Sequence, residues 1–166
     1  LYETTGVGIS FGAVSDLVQP FSITGGFAGF GVNPAPATEA TPYLAFGFTT
    51  LLLYKPDLSY WVSANVEELD DGNSKSATVT VYEVLGGTVI GGSQTPISTL
   101  VEGVPFDLQL FVDPLSSSAL ATFTSGAVTI STAAVTLTQY GAQNPDSLLQ
   151  LLGLANQGLG PDDTAS

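Results

Sequence analysis

The chain opens on a regular alternation. Residues Gly6-Val7-Gly8-Ile9-Ser10-Phe11-Gly12-Ala13 switch between small and apolar positions with a period of two. That is the period of an extended strand, so Val7, Ile9, Phe11 and Ala13 share one face while the opposite face is nearly bare. A slim face of this kind lets another layer of backbone or side chains approach closely.

The same period recurs downstream. Residues 17–24 predict a second strand, bent or at a sheet edge because Pro20 cannot donate to a ladder. The glycine-rich stretch 25–31 is expected to be flexible and 33–42 to be a loop. Residues 43–54, rich in aromatic and β-branched side chains, predict a buried strand closed by the turn Lys55-Pro56-Asp57. The clearest hairpin joins 59–69 to 74–85 through Asp70-Asp71-Gly72-Asn73, where Gly and Asn accept positive φ. In its second arm Ala77, Val79 and Val81 alternate with Thr78, Thr80 and Tyr82. Gly86-Gly87 and Gly91-Gly92 bracket a short strand over Thr88, Val89 and Ile90. Phe106, Leu108, Leu110 and Val112 alternate with Asp107, Gln109, Phe111 and Asp113, and Pro114 ends the run. Two Thr-rich strands follow, over 119–124 and 127–140.

One segment reads as a helix. Asn144-Pro145-Asp146-Ser147 offers an N-cap, a proline at the first helical position and an acid in the first turn. Leu148, Leu149, Leu151 and Leu152 follow, with Gly153 as the stop. The predicted fold is therefore all-β: an antiparallel β-sandwich, jelly-roll-like, with one short C-terminal helix. Its parts are an N-terminal extended strand (1–14), the sandwich (15–143), and the helix with a polar tail (144–166).

Composition then narrows the chemistry. The 166 residues include no His, Cys, Met or Arg, and Lys55 and Lys75 face fifteen carboxylates for a formal net charge of −13. Charged residues are only 10% of the chain, well below the roughly 25% of an ordinary soluble domain. The acidic balance excludes phosphate-driven nucleic-acid binding, which needs clustered cations, and disfavours anionic membrane surfaces. No apolar run is long enough to span a bilayer as a helix, so no membrane span is expected. Without Cys no disulfide can staple the fold, and without Cys or Met nothing is readily oxidised. A chain that begins at Leu1 is expected to have lost a secretion signal, which fits an extracellular setting.

Candidate catalytic groups are few. A Ser nucleophile lacks its usual His base. Glu67, Glu83 and Glu102 are the carboxylates from which a glycosidase pair could be drawn, although they also read as solvent-facing strand residues. An enzyme is not the expectation. Soft metal sites are excluded with Cys and His. Weak calcium binding stays open at Asp70, Asp71 and Asn73 or at Asp162 and Asp163, although the first cluster lacks the spacing of an EF-hand loop and also reads as a plain hairpin turn. No metal or cofactor is expected. Phe27, Phe30, Tyr43, Phe46 and Phe48 form an aromatic set that reads either as a ligand platform or as core and interface.

What remains is backbone pairing and apolar packing. The strand at 6–13 suits insertion into a neighbour's open groove, with Val7, Ile9, Phe11 and Ala13 at the subunit interface, or else it is the first strand of its own sandwich. The start at Leu1, the strand Gly6 to Ala13 and the Cys-free, Thr/Val-rich sandwich after it resemble subunits of extracellular filaments joined by donor strands, such as archaeal bundling pili and TasA-like biofilm fibres. The resemblance implies a secreted structural subunit that forms a homopolymeric filament on the cell surface. The alternative is a secreted β-sandwich binding module for carbohydrate or calcium, or a capsid-like shell protein.

Overall fold

In the strand Phe106–Asp113, Phe106, Leu108, Leu110 and Val112 are buried while Asp107 is exposed. Period-two sequence has become a two-faced strand, and each fully buried aliphatic side chain contributes about 1.5–3 kcal/mol. The same conversion runs through the chain.

The computed structural model describes the backbone of residues 3–11, 18–27, 30–31, 45–70, 74–98, 103–143, 148–158 and 164–165, and the side chains of 18–27, 48–69, 74–98, 103–143 and 148. In order, its strands are β1 (Glu3–Phe11), β2 (Phe21–Phe27), β3 (Phe30–Gly31), β4 (Ala45–Tyr54), β5 (Tyr60–Asp70), β6 (Lys75–Leu85), β7 (Thr88–Pro96), β8 (Phe106–Asp113), β9 (Ser118–Ser125), β10 (Val128–Ser131), β11 (Val135–Thr136), β12 (Leu149–Gly158) and β13 (Thr164–Ala165). Two antiparallel sheets pack face to face. The larger has the order β1-β12-β4-β5-β6-β7. The smaller runs β10-β9-β8-β2, with β11 also paired to β9. β3 and β13 form a separate two-stranded ribbon.

The core lies between the sheets. Leu51 and Leu53 from β4, Tyr60, Val62, Ala64 and Val66 from β5, and Val79 and Val81 from β6 face Leu108, Leu110, Ala121 and Phe123 of the smaller sheet. At one end Phe106 stacks on Phe27, with ring centroids 5.1 Å apart, and meets Phe123 at 5.3 Å. Offset aromatic pairs of this kind add to plain area burial.

Several expectations are refined. Pro20 precedes β2 rather than interrupting it, and β2 is an edge strand paired to β8. Gly25 and Gly26, expected to be flexible, lie inside β2. The short strand expected at 88–90 extends to Pro96. Its hairpin with β6 turns on Gly86 (φ +57°) and Gly87 (φ +80°), two left-handed residues of the kind a tight hairpin needs.

The predicted C-terminal helix is corrected. Residues 149–158 are β12, an inner strand held antiparallel to β4 from Leu149↔Tyr54 to Gln157↔Phe46 and to β1 on its other side. The proposed cap residues 144–147 lie outside the described residues. The only described helical turn is a single 3-10 turn at Tyr140–Ala142. No described helix is long and apolar enough to cross a membrane.

Candidate functional site

Alternation gives β5 two different faces. Tyr60, Val62, Ala64 and Val66 enter the core, which turns Trp61, Ser63, Asn65 and Glu67 to the outer face of the large sheet. Antiparallel register sets Tyr54, Leu52, Thr50 and Phe48 of β4 beside them, and Val84, Tyr82, Thr80 and Thr78 of β6 on the other side. The result is a cleft of about 400 Å3, open to solvent, whose exposed surface is almost wholly carbon. Phe48, Leu52, Trp61, Tyr82 and Val84 form its walls.

Polar groups make the floor. Thr50 and Asn65 are each 6% exposed and Ser63 is 3% exposed, although all three sit on the outer face. The Asn65 amide donates to Thr80 Oγ1 at 3.0 Å and to Ser63 Oγ at 3.3 Å. Thr80 Oγ1 in turn donates to Glu67 Oε1 at 2.9 Å. The Tyr82 hydroxyl also bonds that carboxylate. Burial pushes the Glu67 carboxyl above its ordinary range, against the lowering effect of the Thr80 and Tyr82 hydrogen bonds. Burial first, then the Glu67 charge, pushes the Tyr82 phenol up. Thr50 is different: its hydroxyl is buried and has no hydrogen-bond partner among the described residues.

The rim is apolar and exposed. Val89 on β7 and Leu58 in the β4–β5 turn line the mouth, at 54% and 56% exposure. Leu58 has φ +54°, a left-handed conformation that costs a non-glycine residue about 1–2 kcal/mol. The turn holds it there. Leu58 N–H donates to the Lys55 carbonyl at 2.9 Å, and Asp57 Oδ1 accepts from Ser59 N–H at 3.0 Å and Ser59 Oγ at 2.7 Å. Tyr82 can lie against β7 because its register partner is Gly92, where a Cβ would fall 2.7 Å from Tyr82 Cδ1.

Glu83, a second catalytic candidate, is elsewhere. It faces inward in phase with Val79 and Val81 and is 0% exposed. Its Oε1 accepts from the Tyr60 hydroxyl at 3.0 Å and from Gln139 N–H at 2.8 Å, while Oε2 accepts from Thr138 N–H at 2.8 Å and Thr138 Oγ1 at 3.1 Å. Burial, and then the Glu83 charge, push the Tyr60 phenol far up. Burial alone pushes nearby Tyr140 up to about 12. Glu67 and Glu83 thus occupy opposite faces of one sheet and form no catalytic pair. Glu83 is a clamp fastening the segment after β11 to β5 and β6. Glu102 lies outside the described residues.

Of the interface candidates, Val7, Ile9 and Phe11 fall in β1, paired in register with Leu154, Leu152 and Gln150 of β12; Ala13 lies outside the described residues. Asp70 ends β5 opposite Lys75. Asp71, Asn73, Asp162 and Asp163 lie outside the described residues, among which no group of three acidic side chains is placed to hold a metal. The aromatic set divides: Phe27 is core and Phe48 lines the cleft. Phe30 lies in β3 and Phe46 in β4, whereas Tyr43 is outside the described residues.

The sequence reading missed the cleft. Its signal was the in-phase series Trp61, Ser63, Asn65, Glu67, an aromatic and polar face unlike the plain polar face of a solvated strand. No protein-family model matches the chain, and no curated protein matches it.

Proposed function

We propose that the chain is a structural subunit that polymerises by strand exchange, its β1 pairing with β12 of a neighbouring copy. The observation that carries this reading is the place of β1 in the sheet. It is the outermost strand, held antiparallel to β12 over a continuous register from Glu3↔Gly158 to Phe11↔Gln150. Another copy's β1 can form the same ladder on the same edge, so exchange replaces backbone hydrogen bonds one for one. The sparse charge of the chain and its lack of Cys add support: little repels a neighbour locally, and no staple fixes the subunit alone. On this reading Val7, Ile9, Phe11 and Ala13 belong to the subunit interface, and the filament is extracellular.

Engineered cysteines test this in a chain that has none. Directly opposed residues of antiparallel strands have Cα atoms about 4.5–5.5 Å apart, within disulfide reach. The pair Val7→Cys and Leu154→Cys should therefore oxidise between subunits, giving a reducible ladder on denaturing gels, and deletion of residues 1–14 should abolish filaments. Filaments that persist after the deletion, or a crosslink confined to monomers within assembled material, would overturn the proposal.

A further inference from the structure

The large sheet ends on β7, at the edge opposite β1. Among the described residues no strand pairs with the outer side of β7. Its nine residues carry no charge, although the chain as a whole has a net charge of −13. Bare N–H and C=O groups on such an edge recruit other strands, so edges are ordinarily guarded by Lys, Pro, a bulge or a covering element. On β7 the guards sit only near the two ends. A register shift between Glu83 and Val84 leaves Ile90 without a β6 partner, and Pro96 has no N–H. Residues 91–95 between them keep an unbroken register with β6 from Glu83↔Gly91 to Val79↔Thr95.

The hairpin also fixes which backbone groups face outward. Ile97 N–H donates to the Ala77 carbonyl at 2.8 Å, so alternation points the N–H and C=O of Thr95, Ser93 and Gly91 toward β6 as well. Gly92 and Gln94 therefore turn theirs away from the sheet, and both residues are exposed. Toward the hairpin turn the edge is apolar, with Leu85, Val89 and Ile90 exposed.

These features select a second copy of the chain as the partner. A basic partner is drawn to carboxylates, and β7 has none. A second β7 meets no like charge across the edge, and the strand fits itself in one register. Antiparallel pairing of Gly92 with Gln94 of the second copy, and of Gln94 with its Gly92, uses both outward N–H groups of each strand, four hydrogen bonds in all. Sliding by two residues either way sends Gln94 to the bulged Ile90 or Gly92 to Pro96, which cannot donate. In the favoured register Ser93 lies on the twofold axis, and exposed Ile90 meets Pro96 of the second copy.

We infer that β7 is a self-recognition edge, through which two copies of the chain join antiparallel about a twofold axis at Ser93 into one continuous sheet. The contact is isologous, the same patch on both copies, so it closes at two. It lies at the far edge from β1 and does not rest on strand exchange.

The chain has no native Cys, so a single introduced thiol reports a single contact. Ser93→Cys sets twin residues at a non-hydrogen-bonded pair, with Cα atoms about 4.5 Å apart and within disulfide reach. Val89→Cys is more exposed, but its twin lies about 27 Å away along the ladder. Under mild oxidation of the purified full chain, Ser93→Cys should give a reducible dimer on denaturing gels, and Val89→Cys should crosslink far more slowly. Adding Gln94→Pro to Ser93→Cys removes one outward donor from each copy and leaves the β6 ladder whole, because that N–H faces away from β6. The two lost bonds should raise the protein concentration for half-maximal crosslinking about 5–150-fold, with circular dichroism unchanged. Ile90→Asp, at an exposed position, should raise it too by setting a carboxylate against Pro96 of the second copy. The inference is overturned if Ser93→Cys yields no dimer or if Val89→Cys crosslinks as fast. It is equally overturned if the folded Gln94→Pro or Ile90→Asp chain crosslinks at an unchanged concentration. One cysteine per chain makes dimers alone whether or not β1 exchanges, so loss of this dimer and loss of the Val7–Leu154 ladder are separate results.

Discussion

Glu83→Gln is the most informative single substitution in this protein. Glu83 is fully buried, and each carboxylate oxygen accepts two hydrogen bonds: Tyr60 and Gln139 N–H on Oε1, Thr138 N–H and Thr138 Oγ1 on Oε2. The amide keeps the volume but turns one acceptor oxygen into an NH2 facing two donors. The Tyr60 and Thr138 hydroxyls can rotate, but the backbone N–H groups of 138 and 139 cannot. One of those N–H groups therefore loses its acceptor, and the new amide N–H finds none. At about 1–3 kcal/mol for each of the two stranded groups, the loss is about 2–6 kcal/mol. For a chain of this size, a central value near 4 kcal/mol lowers Tm by about 8–16 °C. Glu83→Leu should cost at least as much, because all four donors then lose their acceptor. Urea unfolding followed by Trp61 fluorescence and by circular dichroism measures both variants. An unfolding free energy within about 0.5 kcal/mol of wild type for either one would refute the clamp.

Two further outcomes follow from buried polar groups. Thr49 is 0% exposed and its hydroxyl has no partner among the described residues, so the near-isosteric Thr49→Val should raise stability by about 1–2 kcal/mol, read as a shift in urea midpoint; destabilisation would contradict this. Glu67 has a folded-state pKa raised above 4.5, so the folded chain binds more protons than the unfolded one between those two values, and stability falls as pH rises through that window. Glu67→Gln removes this loss, so its stability relative to wild type should grow from below pH 4.5 to neutral pH. Parallel pH profiles for the two proteins would dispose of the argument.

Much of the sandwich could be read directly. Phe106, Leu108, Leu110 and Val112 are buried in phase because a strand has a single period and this one keeps it. The β5–β6 hairpin was equally plain, since its two arms alternate and turn residues lie between them. Glu83 was within reach as well. The series Ala77, Val79, Val81 extends by two to Glu83 and places it in the core, but a carboxylate there has no apparent partner until Thr138 and Gln139, over fifty residues away, fold back onto it. Residues 148–152 were misread because capping signals and leucine spacing are local, whereas the open flank of β4 is not. Nine continuous register pairs with β4 outweigh the few tenths of a kcal/mol per residue that helix propensity offers. The cleft escaped for a related reason: its walls come from β4, β5, β6 and β7, and only register shows that they meet.

The division of β5 into two faces has a consequence for variation. Positions 60, 62, 64 and 66 answer to the core, and positions 61, 63, 65 and 67 answer to the cleft, although the two sets interleave along one stretch of chain. Because one backbone holds both sets, a substitution on one face leaves the geometry of the other in place. A lineage, or a combinatorial library, can therefore rewrite the odd positions and reshape the cleft while the even positions keep the scaffold. β5 is a strand on which the outer surface and the core can drift independently.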